Sequence, residues 1–99
     1  RSWMEHIPQW EQQFGLRLLG ITDDLKPNWQ YMTDHAAKNE TSIMLHVAPD
    51  LVDLAVFSGG EQSPLVGVNG EHPFLASTEA GAAILEETIQ LLAPVLQAC

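Results

Sequence analysis

The chain has 99 residues, 45% hydrophobic and 17% charged, with four Lys and Arg against thirteen Asp and Glu for a formal charge of -9. That length suits one small domain with a core and excludes two, and the composition excludes wholesale disorder. The negative balance would repel a phosphate backbone or an anionic membrane surface, which bind through clustered cations, and no apolar run approaches the roughly 20 residues needed to span a bilayer.

The chain opens on Arg1-Ser2-Trp3 without a signal segment, which reads as a processed or truncated start. Pro8 suits the first turn of a helix and Gly15 its end, so a helix is predicted from about Pro8 to Phe14. Trp3, Ile7, Trp10 and Phe14 recur at helical spacing, and a core-facing stripe is the favoured reading over a binding surface. Leu16 to Ile21 is a short apolar run bounded by Gly15 and Asp23-Asp24, consistent with a mostly buried strand, with a helical continuation as the alternative that periodicity leaves open. Asp23 to Tyr31 has no consistent period and reads as a loop that delivers Trp29 and Tyr31 to the next motif.

A second helix is predicted to start between Asp34 and Asn39, both good capping types, and to stop near Val47 because Ala48-Pro49 discourages continuation. Pro49 opens a short further turn through Leu54. From Glu61 to Leu75, Pro64, Gly67, Asn69, Gly70 and Pro73 interrupt any long element, leaving at most an extended piece from Leu65 to Val68. Ser77 caps a final helix with Glu79 in its first turn, and Ile84, Leu85, Thr88, Ile89, Leu91, Leu92, Val95 and Leu96 form one broad apolar stripe that Pro94 should kink or end. Cys99, the single cysteine, makes no internal disulfide, so a reducing cytoplasm is the simplest compartment. Three helices with one or two strands make a poor sheet, and the last stripe calls for a packing layer that these residues scarcely supply. Missing sequence or an obligate partner is the expectation.

Gly-rich phosphate loops, Gly-x-Ser-x-Gly, His-Glu-x-x-His and Cys-x-x-Cys are all absent from the sequence. Ser42 and His46 stand four apart on one helix, but no orienting acid accompanies them. His6 and His72 read as structural or solvated, His72 having the better claim because it lies in a Gly-rich loop. The segment Asp34-His35-Ala36-Ala37-Lys38-Asn39-Glu40-Thr41-Ser42 differs, because it gathers two acids, an imidazole and a cation at a helix start where backbone N–H groups are free. Glu40 shares a helix face with Ile43, Met44 and Val47 and is predicted to point inward. Such a carboxylate either has a raised pKa, hydrogen-bonds a neighbour, meets a metal or braces the helix end, and His35 is the candidate proton carrier.

His35-Ala36-Ala37-Lys38-Asn39-Glu40-Thr41-Ser42 resembles the His-Ala/Gly-Gly/Ala-x-x-Glu-Thr-Ser signature of the creatininase family of amidohydrolases. The likeness continues through Ala48-Pro49-Asp50-Leu51-Val52-Asp53-Leu54, Gly67-Val68-Asn69-Gly70-Glu71-His72-Pro73 and Ala76-Ser77-Thr78-Glu79-Ala80-Gly81, and so covers about Tyr31 to the C-terminus. It implies an α/β class and the C-terminal part of a three-layer α/β/α domain, helix-rich over residues 1–99. It also implies a homo-oligomer, and two divalent metals, zinc or manganese, activating water against an amide or cyclic amide C–N bond of a small substrate.

Carried over, the resemblance makes His35 the catalytic histidine and Glu40 a carboxylate near the metal centre, with Trp29, Tyr31 and Asp34 lining the substrate. Met32 departs from the acid that creatinine-hydrolysing members carry. The family's Glu-x-His metal motif and its later ligands have no counterpart in these residues, so no metal ligand is assigned here. The expectation is therefore a chain inactive without its metal-binding portion or a companion chain. The alternative is a non-catalytic homologue that serves as an interaction or oligomerisation module through the Trp3, Trp10 and Phe14 face and the final helix.

Overall fold

A computed structural model of the chain describes residues 2–20 and 34–98. Three α-helices organise it: α1 (Ile7–Phe14), α2 (Lys38–Val47) and α3 (Thr78–Gln97). A 3-10 helix at Ser2–His6 leads into α1, where Pro8 occupies the first turn, and Gly15 ends the helix at φ 62°, a left-handed conformation that favours glycine.

After Gly15 the chain turns back along α1. The Leu18 amide donates to Glu11 Oε2 at 2.9 Å, and Gly20 sits so close to Met4 and Ile7 that an added Cβ would lie 2.5 Å from Met4 Cε. Residues 16–20 are thus an irregular return segment, where the apolar run had suggested a strand. A buried strand needs a strand beside it, and the neighbour here is the flank of a helix. No residue of α1 is buried, and Trp3 and Phe14 are exposed, so the aromatic stripe is only partly covered by the described residues. Trp10 instead meets His6, with ring centroids 5.6 Å apart.

The three-layer α/β/α expectation is overturned, since the described residues are 65% helix and 2% strand and contain no sheet. One isolated antiparallel bridge joins His35 to Asn69 among the described residues. Between α2 and α3 the chain closes four 3-10 turns at Pro49–Leu51, Leu54–Val56, Gly60–Gln62 and Pro73–Leu75. Prolines that cannot donate and glycines at positive φ (Gly60, Gly67, Gly70) favour such turns over extended pairing. The stretch from Leu65 to Val68 accordingly forms no strand.

α2 and α3 pack directly on each other. At their crossing Ser42, 0% exposed, meets the buried Gly81; the other buried residues described are Ala37 (0% exposed), Ile84 (2%) and Pro73. Ser42 Oγ donates to the Lys38 carbonyl and accepts from the Ser77 amide at 3.1 Å, while Ser77 Oγ accepts from Ala80 N at 3.0 Å to cap α3. One buried hydroxyl therefore ties α2 to the start of α3. Ser42→Ala should cost about 1–3 kcal/mol in urea denaturation, because it strands the Ser77 amide in a dry contact; an unchanged midpoint would show that water takes the hydroxyl's place.

Pro94 does not end α3, which runs to Gln97 with the Ala98 amide donating to the Pro94 carbonyl at 3.1 Å. A proline this near the terminus removes one donor and leaves the last turn intact. The accessible surface, 7271 Å² for 10.9 kDa, exceeds the about 5,600 Å² of a compact monomer of that mass. Ile89 and Leu96 on α3 and Val47 on α2 remain exposed. No helix among the described residues is long and apolar enough to cross a membrane.

Candidate functional site

The segment from Asp34 to Ser42 is the approach to α2 and its first turns. Asp34 Oδ2 accepts from the Asn39 amide at 2.7 Å and Oδ1 accepts from the Glu40 amide at 2.9 Å, so one carboxylate satisfies two of the free donors of the helix start. Glu40 Oε2 in turn accepts from the Ala36 amide, a reciprocal arrangement like a capping box. Both acids are thereby held on backbone N–H groups at the positive end of the helix.

Glu40 is exposed, which corrects the expectation that it points inward. The face of α2 that meets α3 is the one carrying Ser42, and at about 100° per residue Glu40 lies on the opposite side of the helix. Its apolar face-mates Met44 and Val47 are exposed with it. Of the readings open for this carboxylate, bracing the helix start is the one its hydrogen bond satisfies. Asp34, expected to line substrate, has both oxygens on the α2 backbone.

His35 is exposed. Its amide donates to the Asn69 carbonyl and its carbonyl accepts from the Asn69 amide, both at 2.9 Å. Ala36 follows in the left-handed region at φ 52°, a cost of about 1 kcal/mol for a non-glycine residue. The next amide to bond the loop is that of Lys38, which donates to the Glu71 carbonyl at 3.0 Å, and its ammonium stands 3.5 Å from the Glu71 carboxylate. Gly70, at φ 136°, lies under Asp34 and Ala37, where an added Cβ would be 2.8 Å from both Cβ atoms. Residues 69–71 thus fasten the segment that bears His35, a role that sequence reasoning assigned to no residue of this loop. The usable signal was the glycine beside Asn69, a pair typical of positive φ.

Beside the exposed face of α2 lies an open cavity of about 540 Å³. Ala36, Glu40, Thr41 and Met44 form one wall, and Val52, Asp53, Phe57, Val68 and Pro73 belong to the facing turns. His72 steadies that far wall. Its Nδ1 accepts from the Phe74 amide at 3.0 Å, which leaves the Nε2 proton for the Ser63 carbonyl at 3.1 Å, and its ring meets Phe57 edge-on at 5.0 Å. A structural histidine accounts for these contacts in full.

The Ser42 and His46 pair forms no dyad, because the Ser42 hydroxyl is buried and engaged by Lys38 and Ser77 while His46 is exposed. Trp29 and Tyr31, the expected aromatic enclosure, lie outside the described residues. Among the described residues no three His, Cys, Asp or Glu side chains gather to hold a metal ion, and the carboxylates of Asp34 and Glu40 are turned to backbone amides. No chemical step is derived through a metal. Set against known families, curated proteins and solved structures, the chain matches no family model, no curated protein and no solved structure.

Proposed function

We propose that the chain is one wall of a creatininase-like amidohydrolase, contributing His35 as the proton carrier for cleavage of an amide or cyclic amide C–N bond. In this reading zinc or manganese is held by ligands on polypeptide other than these residues. The observation that supports it is the turn at Ala36, which sits at φ 52° while Ala37 is fully buried against Gly70. The buried place of Ala37 takes only a small side chain and the left-handed turn at Ala36 favours glycine, in keeping with the Ala/Gly pair of the signature, and His35 before them is exposed on a fastened backbone. Glu40 acts as a positioning residue, its carboxylate fixing the Ala36 amide directly after His35.

The test uses the purified chain with zinc or manganese and simple formamides or cyclic amides. No hydrolysis is expected from the chain alone. Supplied with a metal-binding portion of a creatininase-like enzyme, it should support turnover that His35→Asn lowers by about 10²–10⁴-fold. Hydrolysis by the chain alone, or full activity of the assembled His35→Asn variant, would sink the reading. The second reading, a non-catalytic interaction module, is favoured by the exposed Trp3, Phe14, Ile89 and Leu96.

A further inference from the structure

We propose that the cavity beside α2 is a binding site for a small organic cation with an apolar body. At about 540 Å³ it falls within the size range of ligand pockets, about 300–1,000 Å³. Its lining is mostly apolar, with Met44, Val52, Phe57 and Val68 offering the body an apolar surface. Among the described residues the charged ones of the lining are Glu40 and Asp53, both acidic, and none is Lys, Arg or His.

Charge therefore selects the occupant. An anion entering this cavity meets two acidic residues, no cation among the described lining, and a chain of formal charge -9. A cation meets two carboxylates already fixed in place, Glu40 by the Ala36 amide and Asp53 by the Ala55 amide at 3.0 Å. Little side-chain ordering remains to oppose binding, which is the advantage of preorganisation. The His72 contacts to Phe74, Ser63 and Phe57 brace the opposite wall in the same sense. A second copy of the chain is the poorer occupant, since it would bring a further net charge of -9, its four Lys and Arg already counted, to an acidic cavity.

The proposal goes beyond hydrolysis and does not need it, because its readout is binding by the metal-free chain. Three probes of one shape separate the terms: benzamidine, benzamide and benzoate carry one ring with charge +1, 0 and -1. In an NMR titration of the full chain, benzamidine should saturate and shift the signals of Met44, Val52, Phe57 and Val68. Benzamide should bind about three- to fivefold more weakly, and benzoate should not saturate. Glu40→Gln and Asp53→Asn, which keep an oxygen for the backbone amides, should each weaken benzamidine about twofold and leave benzamide unchanged. Glu86→Gln, outside the lining, should change neither. Benzoate binding as tightly as benzamidine overturns the proposal, as do shifts centred elsewhere, an equal effect of Glu86→Gln, or sedimentation showing that a second copy buries the cavity.

Discussion

Replacing Gly81 with Ala should unfold the pairing of α2 with α3. On helix propensity alone the substitution is favourable by about 1 kcal/mol, because alanine is the better helix former. The crossing decides otherwise. A Cβ at Gly81 would lie 1.9 Å from the Ser42 carbonyl oxygen and 2.5 Å from its carbon, with His46 Cβ at 3.0 Å. Two of these atoms are backbone, so no rotamer change relieves the overlap and the helices must move apart. That movement also pulls Ser77 from the Ser42 hydroxyl. The expected loss is about 4 kcal/mol or more, against about 5–15 kcal/mol for the whole stability of a typical domain. Circular dichroism during urea denaturation reads it directly, and a midpoint equal to or above that of the parent chain would show that the helices do not meet here.

The same crossing explains where sequence reasoning stopped. Helix ends were legible because they carry local chemistry: Gly15 closes α1, Ala48-Pro49 follows α2, and Ser77 caps α3. The face of α2 was not. Ile43, Met44 and Val47 made the other side look like the core side, whereas the contact is made by Ser42 against Gly81, residues with no hydrophobic signature. Close approach of small groups buries backbone, and a pattern of apolar side chains does not register it. The Leu16 to Ile21 run failed for a related reason, since an apolar stretch shows that surface is to be covered and is silent on whether a strand or a helix flank covers it.

The position of the candidate site was legible, and the division of labour within it was not. Two acids around an imidazole suggested three groups aimed at a ligand. Asp34 and Glu40 instead bond the backbone at the start of α2, and Glu40 is exposed along with His35. An acid placed before a helix, with Glu in its first turn, already carries that capping reading. The partner of His35 was out of reach of local reasoning, because Asn69 comes to it across the whole connection between α2 and α3.

Gly70→Ala tests that long-range fastening, and its expected cost is about 3 kcal/mol, combining backbone strain with overlap. At φ 136° the residue occupies a region that side chains rarely adopt, and the new Cβ would stand 2.8 Å from the Cβ atoms of both Asp34 and Ala37. Relief requires the loop to lift, which breaks the paired His35 and Asn69 hydrogen bonds and draws the Lys38 amide from Glu71. The Ser42 pin lies on the opposite side of α2 and should survive. Hydrogen exchange separates the two outcomes: protection should fall at the His35, Lys38 and Asn69 amides and persist at Ser77. Loss everywhere would mean that the loop carries the global fold, and loss nowhere would mean that it does not hold His35. Local loss alone would establish that the outward histidine is positioned by a loop whose glycine has no room for a side chain.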